Sequence, residues 1–104
     1  MHLIIWEYQV KEECVAQFEK IYGGNGAWAE LFGRSSNYLG TELLRHTSQP
    51  LHYITMDRWS SATDFDSFLS KWKKEYEALV TSCEDLIERE TLVGKWGSIP
   101  FQTR

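Results

Sequence analysis

Few side chains in this sequence have the types and spacing that carry chemistry. His46 and His52 stand equally far from Gln49, so across a hairpin they would face one another as a cross-strand pair. Two imidazoles can begin a metal site, but no third ligand stands near them, and the expectation is a solvated hairpin tip without metal. Cys14 and Cys83 both fall in helical patterns and read as buried thiols rather than as a bridge. The stretch Tyr22-Gly23-Gly24-Asn25-Gly26 superficially looks like a phosphate cradle, but it follows a helical pattern and lacks the Lys-Ser/Thr ending. No Ser-His-Asp or Cys-His arrangement can be argued from spacing. What remains is hydrogen bonding beside aromatic surface. Tyr22, Asn37, Tyr38 and Arg58 can donate bonds near Trp59, and Arg58 alternates to the strand face opposite Trp59.

The elements that must position these groups meet at Met56 to Phe68. Tyr53-Ile54-Thr55-Met56 is rich in β-branched and aromatic residues, which favour a strand, and Trp59 closes it. Ser61 then has the placement of a helix N-cap, with Asp64 three residues on completing a capping-box-like pair in the positive first turn. Phe65, Phe68, Leu69, Trp72, Tyr76, Leu79, Val80 and Cys83 recur at helical spacing, which predicts one long amphipathic helix.

The rest of the chain divides in the same way. His2 to Val10 alternates as a first strand, with Ile4, Trp6, Tyr8 and Val10 on one face and Leu3, Ile5 and Glu7 on the other. Either face could point inward, because both carry apolar members. Lys11 to Tyr22 is a helix with Val15, Phe18, Ile21 and Tyr22 as its buried stripe, ended by Gly23-Gly24. A glycine-rich turn leads into a short helix carrying Trp28, Leu31 and Phe32. Strands follow at Asn37 to Thr47, Leu51 to Trp59 and Leu86 to Trp96, the last with Glu88 and Glu90 on the same face as Leu92. Gly97 to Arg104 is a tail without regular pattern.

The order β-α-β-β-α-β predicts a single α+β domain over residues 1–104 with the ferredoxin-like fold: one antiparallel sheet with the helices on one face. The other sheet face is bare and apolar, so a second copy of the chain is expected to cover it. The same topology gathers Trp28, Phe32, Asn37, Tyr38 and Trp59 at one end of the sheet and puts the Ser48–Pro50 hairpin tip, Cys14 and Cys83 at the other.

Composition sets the outer bounds. With 42% hydrophobic and 14% aromatic residues in 104, the chain can bury one modest core and still has rings to spare for a ligand or partner. A net charge of −4 with no basic cluster excludes the electrostatic footprint of a nucleic-acid binder. No apolar run approaches the roughly 18 residues needed to span a bilayer, and no signal-peptide pattern opens the chain, so the expected location is the cytoplasm.

Four phrases, IIWEYQV, YGGNGAWAELF, YITMDRWSS with the following DFDSF, and ERETLVGKW, resemble the antibiotic biosynthesis monooxygenase superfamily over almost the whole chain. That resemblance implies a dimeric α+β barrel, formed sheet to sheet, with a ligand pocket between each sheet and its own helices. It implies cofactor-independent oxidation of a small aromatic or phenolic substrate by O2, without metal or flavin. Trp59 matches the pocket tryptophan of such proteins, with Asn37 or Tyr38 in position to bond the substrate oxygen. Haem-degrading relatives need an asparagine on the first strand and a histidine on the second helix, and this chain has neither. The expected pocket lining is Trp6 or Tyr8, Tyr22, Trp28, Phe32, Trp59, Phe68 and Trp72. The competing expectation is a dimer of the same fold that binds a small aromatic molecule without oxidising it; a purely structural dimer module is a third.

Overall fold

The computed structural model describes residues 1–100; the last four residues of the tail, 101–104, lie outside them. Strand β1 (His2–Val10) leads through a 3-10 turn (Glu12–Cys14) into helix α1 (Val15–Tyr22), and a glycine turn leads into α2 (Ala27–Phe32). Strands β2 (Tyr38–Arg45) and β3 (His52–Trp59) form a hairpin. Helices α3 (Ala62–Lys71) and α4 (Lys73–Cys83), then a second 3-10 turn (Glu84–Leu86), return the chain to β4 (Ile87–Gly97). The sheet is antiparallel throughout in the order β2-β3-β1-β4, the ferredoxin-like arrangement expected. The molecule is only 20 Å deep in its thinnest direction, the thickness of one sheet and one helical layer.

Burial decides the question the first strand left open. Ile4, Tyr8 and Val10 are buried beneath the helices, and on β3 the alternation is strict: Tyr53, Thr55, Asp57 and Trp59 are buried, whereas His52, Ile54, Met56 and Arg58 are half-buried on the other face. Two aromatic cores lie under the helical layer. One gathers Tyr8, Phe18, Tyr22 and Tyr53, the other Ile4, Phe32, Trp59, Phe65 and Phe68, and Trp6, Trp28 and Leu79 pack against both.

The expected single helix after Trp59 is two helices. It opens as expected, with the Asp64 backbone N–H donating to Ser61 Oγ at 3.0 Å and the Ser61 hydroxyl donating to the Asp64 carboxylate at 2.8 Å. At Trp72 the backbone leaves the helical region (φ −111°, ψ 27°), although the bonds from Trp72 N to Phe68 O and from Tyr76 N to Trp72 O keep the two segments tied. The bend allows α3 to cover the Trp59 end of β3 while α4 packs on α2. Apolar spacing runs through the bend unchanged, which is why the periodicity did not reveal it.

Gly26 shows how tightly the α1–α2 turn is folded. A Cβ there would stand 2.3 Å from the Ile21 carbonyl oxygen and 2.4 Å from that of Lys20, both backbone atoms that cannot rotate away. Gly26→Ala is expected to cost about 3 kcal/mol through this overlap. Chemical denaturation giving a loss below about 1 kcal/mol would show that the turn can open.

Candidate active site

Between the two aromatic cores the floor of the sheet turns polar, and there the helical layer does not close down on it. The result is a partly open cleft walled by aromatic rings. Its floor is Trp6 and Tyr8 from β1, Thr41 from β2, Thr55 and Asp57 from β3 and Glu90 from β4; its roof is Tyr22, Trp28, Phe32, Tyr76 and Val80. The pocket therefore lies between sheet and helices. Five of the residues expected to line it, Trp6, Tyr8, Tyr22, Trp28 and Phe32, do so.

Asp57 is the distinctive group on the floor. It is 8% exposed, and among the described residues its side-chain hydrogen bond comes from the Thr41 hydroxyl, 2.5 Å from Oδ1. Burial pushes its pKa up from 3.8 to about 6, against the opposing pull of the Thr41 bond. Thr41 in turn accepts a bond from the Tyr38 hydroxyl at 2.5 Å. This relay depends on a bulge. Tyr38 pairs with Trp59 and Thr41 with Asp57, but the register slips between Tyr38 and Gly40, and Gly40 takes φ +124°, a conformation natural only to glycine. In an unbroken strand, residues 38 and 41 would point to opposite faces; the extra residue places both under the helices.

The tyrosines of the cleft stay protonated. Burial raises the pKa of Tyr8, whose hydroxyl lies 3.2 Å from Thr55 Oγ1, and that of Tyr22. Tyr76 is raised by burial and further by the nearby charges of Glu90 and Asp57. Glu90 is itself raised, first by desolvation and then by Glu84. The indole N–H of Trp28 is buried without a hydrogen-bond partner.

The other expected site residues lie outside the cleft. Trp59 is fully buried, its ring enclosed by Phe32, Tyr38, Phe65 and Phe68 at centroid distances of 5.2–5.4 Å, because α3 lies directly across the strand end. Trp59 meets the cleft through the Phe32 ring, and Tyr38 meets it through Phe32 and Thr41. Asn37 is exposed and serves by its backbone, its carbonyl accepting from Ser60 N at 2.9 Å. Phe68 and Trp72 border a separate surface groove with Asn37, where Arg34 stands 4.8 Å from the Trp72 ring centre. The gathering of Phe32, Tyr38 and Trp59 at one sheet end was correct, but that end is packed solid and the space lies one step toward the middle of the sheet.

Thr41, Thr55, Asp57, Tyr76, Val80 and Glu90 complete the cleft and are not among the residues expected to line it. A signal for Asp57 was present: an aspartate is unusual within a strand, and its parity matches Trp59 rather than Arg58. Glu90 was noted for sharing a face with Leu92, and the wet surface that this required is the open side of the cleft at edge strand β4.

His46 and His52 do face one another at the hairpin, with rings stacked at 5.4 Å and 11°. The Ser48 and Gln49 backbone N–H groups donate to His46 Nδ1, and His52 Nε2 lies 3.1 Å from a Glu7 carboxylate oxygen. Cys14 and Cys83 are free thiols. No group of three metal-ligating side chains occurs among the described residues, and no helix among them is long and apolar enough to cross a membrane.

The family model for antibiotic biosynthesis monooxygenase matches residues 1–80 of the chain. The chain belongs to that family. Solved structures agree in fold. SnoaB from Streptomyces nogalater, a cofactor-independent oxygenase, is 19% identical, with 96% of this chain and 97% of that one covered and a TM-score of 0.70. A candidate antibiotic biosynthesis monooxygenase from Deinococcus radiodurans is 11% identical, with 100% and 98% covered and a TM-score of 0.78. A NIPSNAP family protein from Agrobacterium tumefaciens is 15% identical, with 96% and 94% covered and a TM-score of 0.67. A search of curated proteins finds no match. Identities this low carry the fold and not the substrate.

Proposed function

We propose that this family member is a cofactor-independent monooxygenase of a small phenolic substrate, and that Asp57 is its general base. The observation that carries the reading is a buried carboxylate, held in place by Thr41, on the floor of an aromatic-walled cleft. With its pKa pushed up to about 6, Asp57 is ionised at neutral pH yet basic enough to take a phenolic proton. The phenolate so formed is electron-rich and reacts with O2 at a ring carbon bearing hydrogen. A C–O bond forms; loss of that hydrogen and cleavage of the O–O bond then release water and leave a quinone carbonyl. One oxygen atom ends in the product and one in water, so the substrate supplies all four electrons that O2 accepts. The aromatic walls keep bulk water from the phenolate.

Tyr38 acts on this base from behind, by orienting the Thr41 hydroxyl, and Trp59 acts on the wall by seating Phe32. Asn37 stays in the proposal only as the backbone tie that holds this end of the hairpin. Oxygen uptake with a panel of phenols, anthrones and hydroquinones tests the reading. Uptake should rise as pH passes through about 6, where Asp57 ionises. Ligand-dependent quenching of tryptophan fluorescence without any uptake would select the non-catalytic binder.

The assembly we propose is a homodimer through the outer sheet face. Ile5 pairs with Met56 and Gly94 at the centre of that face, and the Trp96 ring lies over Gly94, 2.9 Å from where a Cβ would stand. Trp96 is 48% and Leu44 40% exposed, an apolar surface that a single copy leaves in water. Light scattering is expected to give twice the 12.2 kDa chain mass. Ile5→Lys should shift that mass to one chain, and an unaltered dimer would place the interface elsewhere.

A further inference from the structure

The main cleft does not end at Trp28 and Glu90. These two residues, with Tyr22 and Val80, also border a second lobe that opens toward Cys83, Glu84 and Ile87. The two lobes together carry three carboxylates, those of Asp57, Glu84 and Glu90, and among the described residues no Lys, Arg or His lines either. Among the described residues none of the three carboxylates takes part in an ion pair.

Asp57 makes the imbalance costly. A carboxylate that is 8% exposed and has only a hydroxyl for a partner is poorly compensated for the water it has lost. Glu84 and Glu90 sit at the wet edge, where repulsion between them adds to the desolvation that raises Glu90. A positively charged group entering the second lobe would relieve the repulsion between Glu84 and Glu90. An anionic substituent would meet three like charges and no donor cation.

Building on the oxygenase reading, we propose that the substrate is a phenol carrying a cationic amine, with its ring in the aromatic lobe and its ammonium group between Glu84 and Glu90. Most of the recognising surface comes from the α4–β4 segment, beyond the 1–80 span that the family model matches, so family membership does not by itself supply this specificity.

Three matched probes test the charge preference: tyramine, 4-ethylphenol and 3-(4-hydroxyphenyl)propionate, which differ in charge and little in shape. Binding to the full-length protein is measured by calorimetry near pH 7.5, so the result does not depend on turnover. Tyramine should bind at least about tenfold more tightly than the propionate, with 4-ethylphenol between them. The preference should shrink in roughly 0.5 M salt and fall to about twofold or less in Glu84→Gln/Glu90→Gln, whose substitutions lie at exposed positions. Equal binding of tyramine and the propionate, or an undiminished preference in the double variant, would overturn the proposal. Oxygen uptake measured alongside separates the two readings. Uptake with phenols of any charge and no tyramine preference retains the oxygenase and rejects the amine; a Glu-dependent tyramine preference with no uptake from any amine-bearing phenol or hydroquinone retains the amine and rejects the oxygenase.

Discussion

Asp57→Asn is expected to lower oxygen uptake by about 100- to 10,000-fold while making the protein more stable at neutral pH. The rate falls because an amide cannot accept the phenolic proton, although its carbonyl can still take the Thr41 hydrogen bond. The stability change follows from linkage. The folded-state pKa of Asp57 is raised from 3.8 to about 6, so the folded protein holds this proton more tightly than the unfolded chain does. Below about pH 4 the group is protonated in both states and imposes no penalty. As pH rises from 4 through 6 the native state is progressively destabilised, by about 3 kcal/mol once both states are ionised. Asparagine removes that ionisation, so denaturation midpoints of wild type and variant should separate above pH 6 and converge near pH 4. Thr41→Val should move the lower limb of the rate profile to higher pH, since the Thr41 bond is what opposes burial. An Asp57→Asn enzyme within twofold of wild-type uptake would sink the assignment of the base.

Trp59→Ala is expected to cost about 4 kcal/mol, a large share of the roughly 5–15 kcal/mol available to a domain of this size. The indole is fully buried among four rings, and two of them, Phe65 and Phe68, belong to α3, so its loss also loosens that helix from the sheet. Trp59→Phe should behave quite differently. It leaves a smaller void and removes an indole N–H that is buried without a partner, and these effects oppose each other, for a net cost of about 1 kcal/mol. Because Trp59 does not line the cleft and meets it through Phe32, the Phe variant should raise KM a fewfold and leave kcat nearly unchanged. A selective collapse of kcat in a well-folded Trp59→Phe protein would instead place the tryptophan against the reacting atoms.

Much of this architecture was legible from residue types in order. Alternation over His2–Val10 and His52–Trp59, the Ser61 cap and the helical stripe from Phe65 to Cys83 are local patterns, and six elements in that order leave the ferredoxin-like sheet as the natural arrangement. The helical wall of the pocket was legible for the same reason, since Tyr22, Trp28 and Phe32 lie on the apolar stripes of their helices, whereas Trp6 and Tyr8 share a strand face that burial had to choose. The tertiary structure alone decided where the layer fails to close. Phe65 and Phe68 descend on Trp59 and fill the end of the sheet where the space was expected, while Thr55 and Asp57, too short and too polar to reach the helices, leave it open further in. The relay from Tyr38 through Thr41 to Asp57 could not be read by counting, because strand parity puts residues 38 and 41 on opposite faces. One inserted residue at Gly40 reverses that parity, and a bulge is a property of two paired strands and not of either sequence alone.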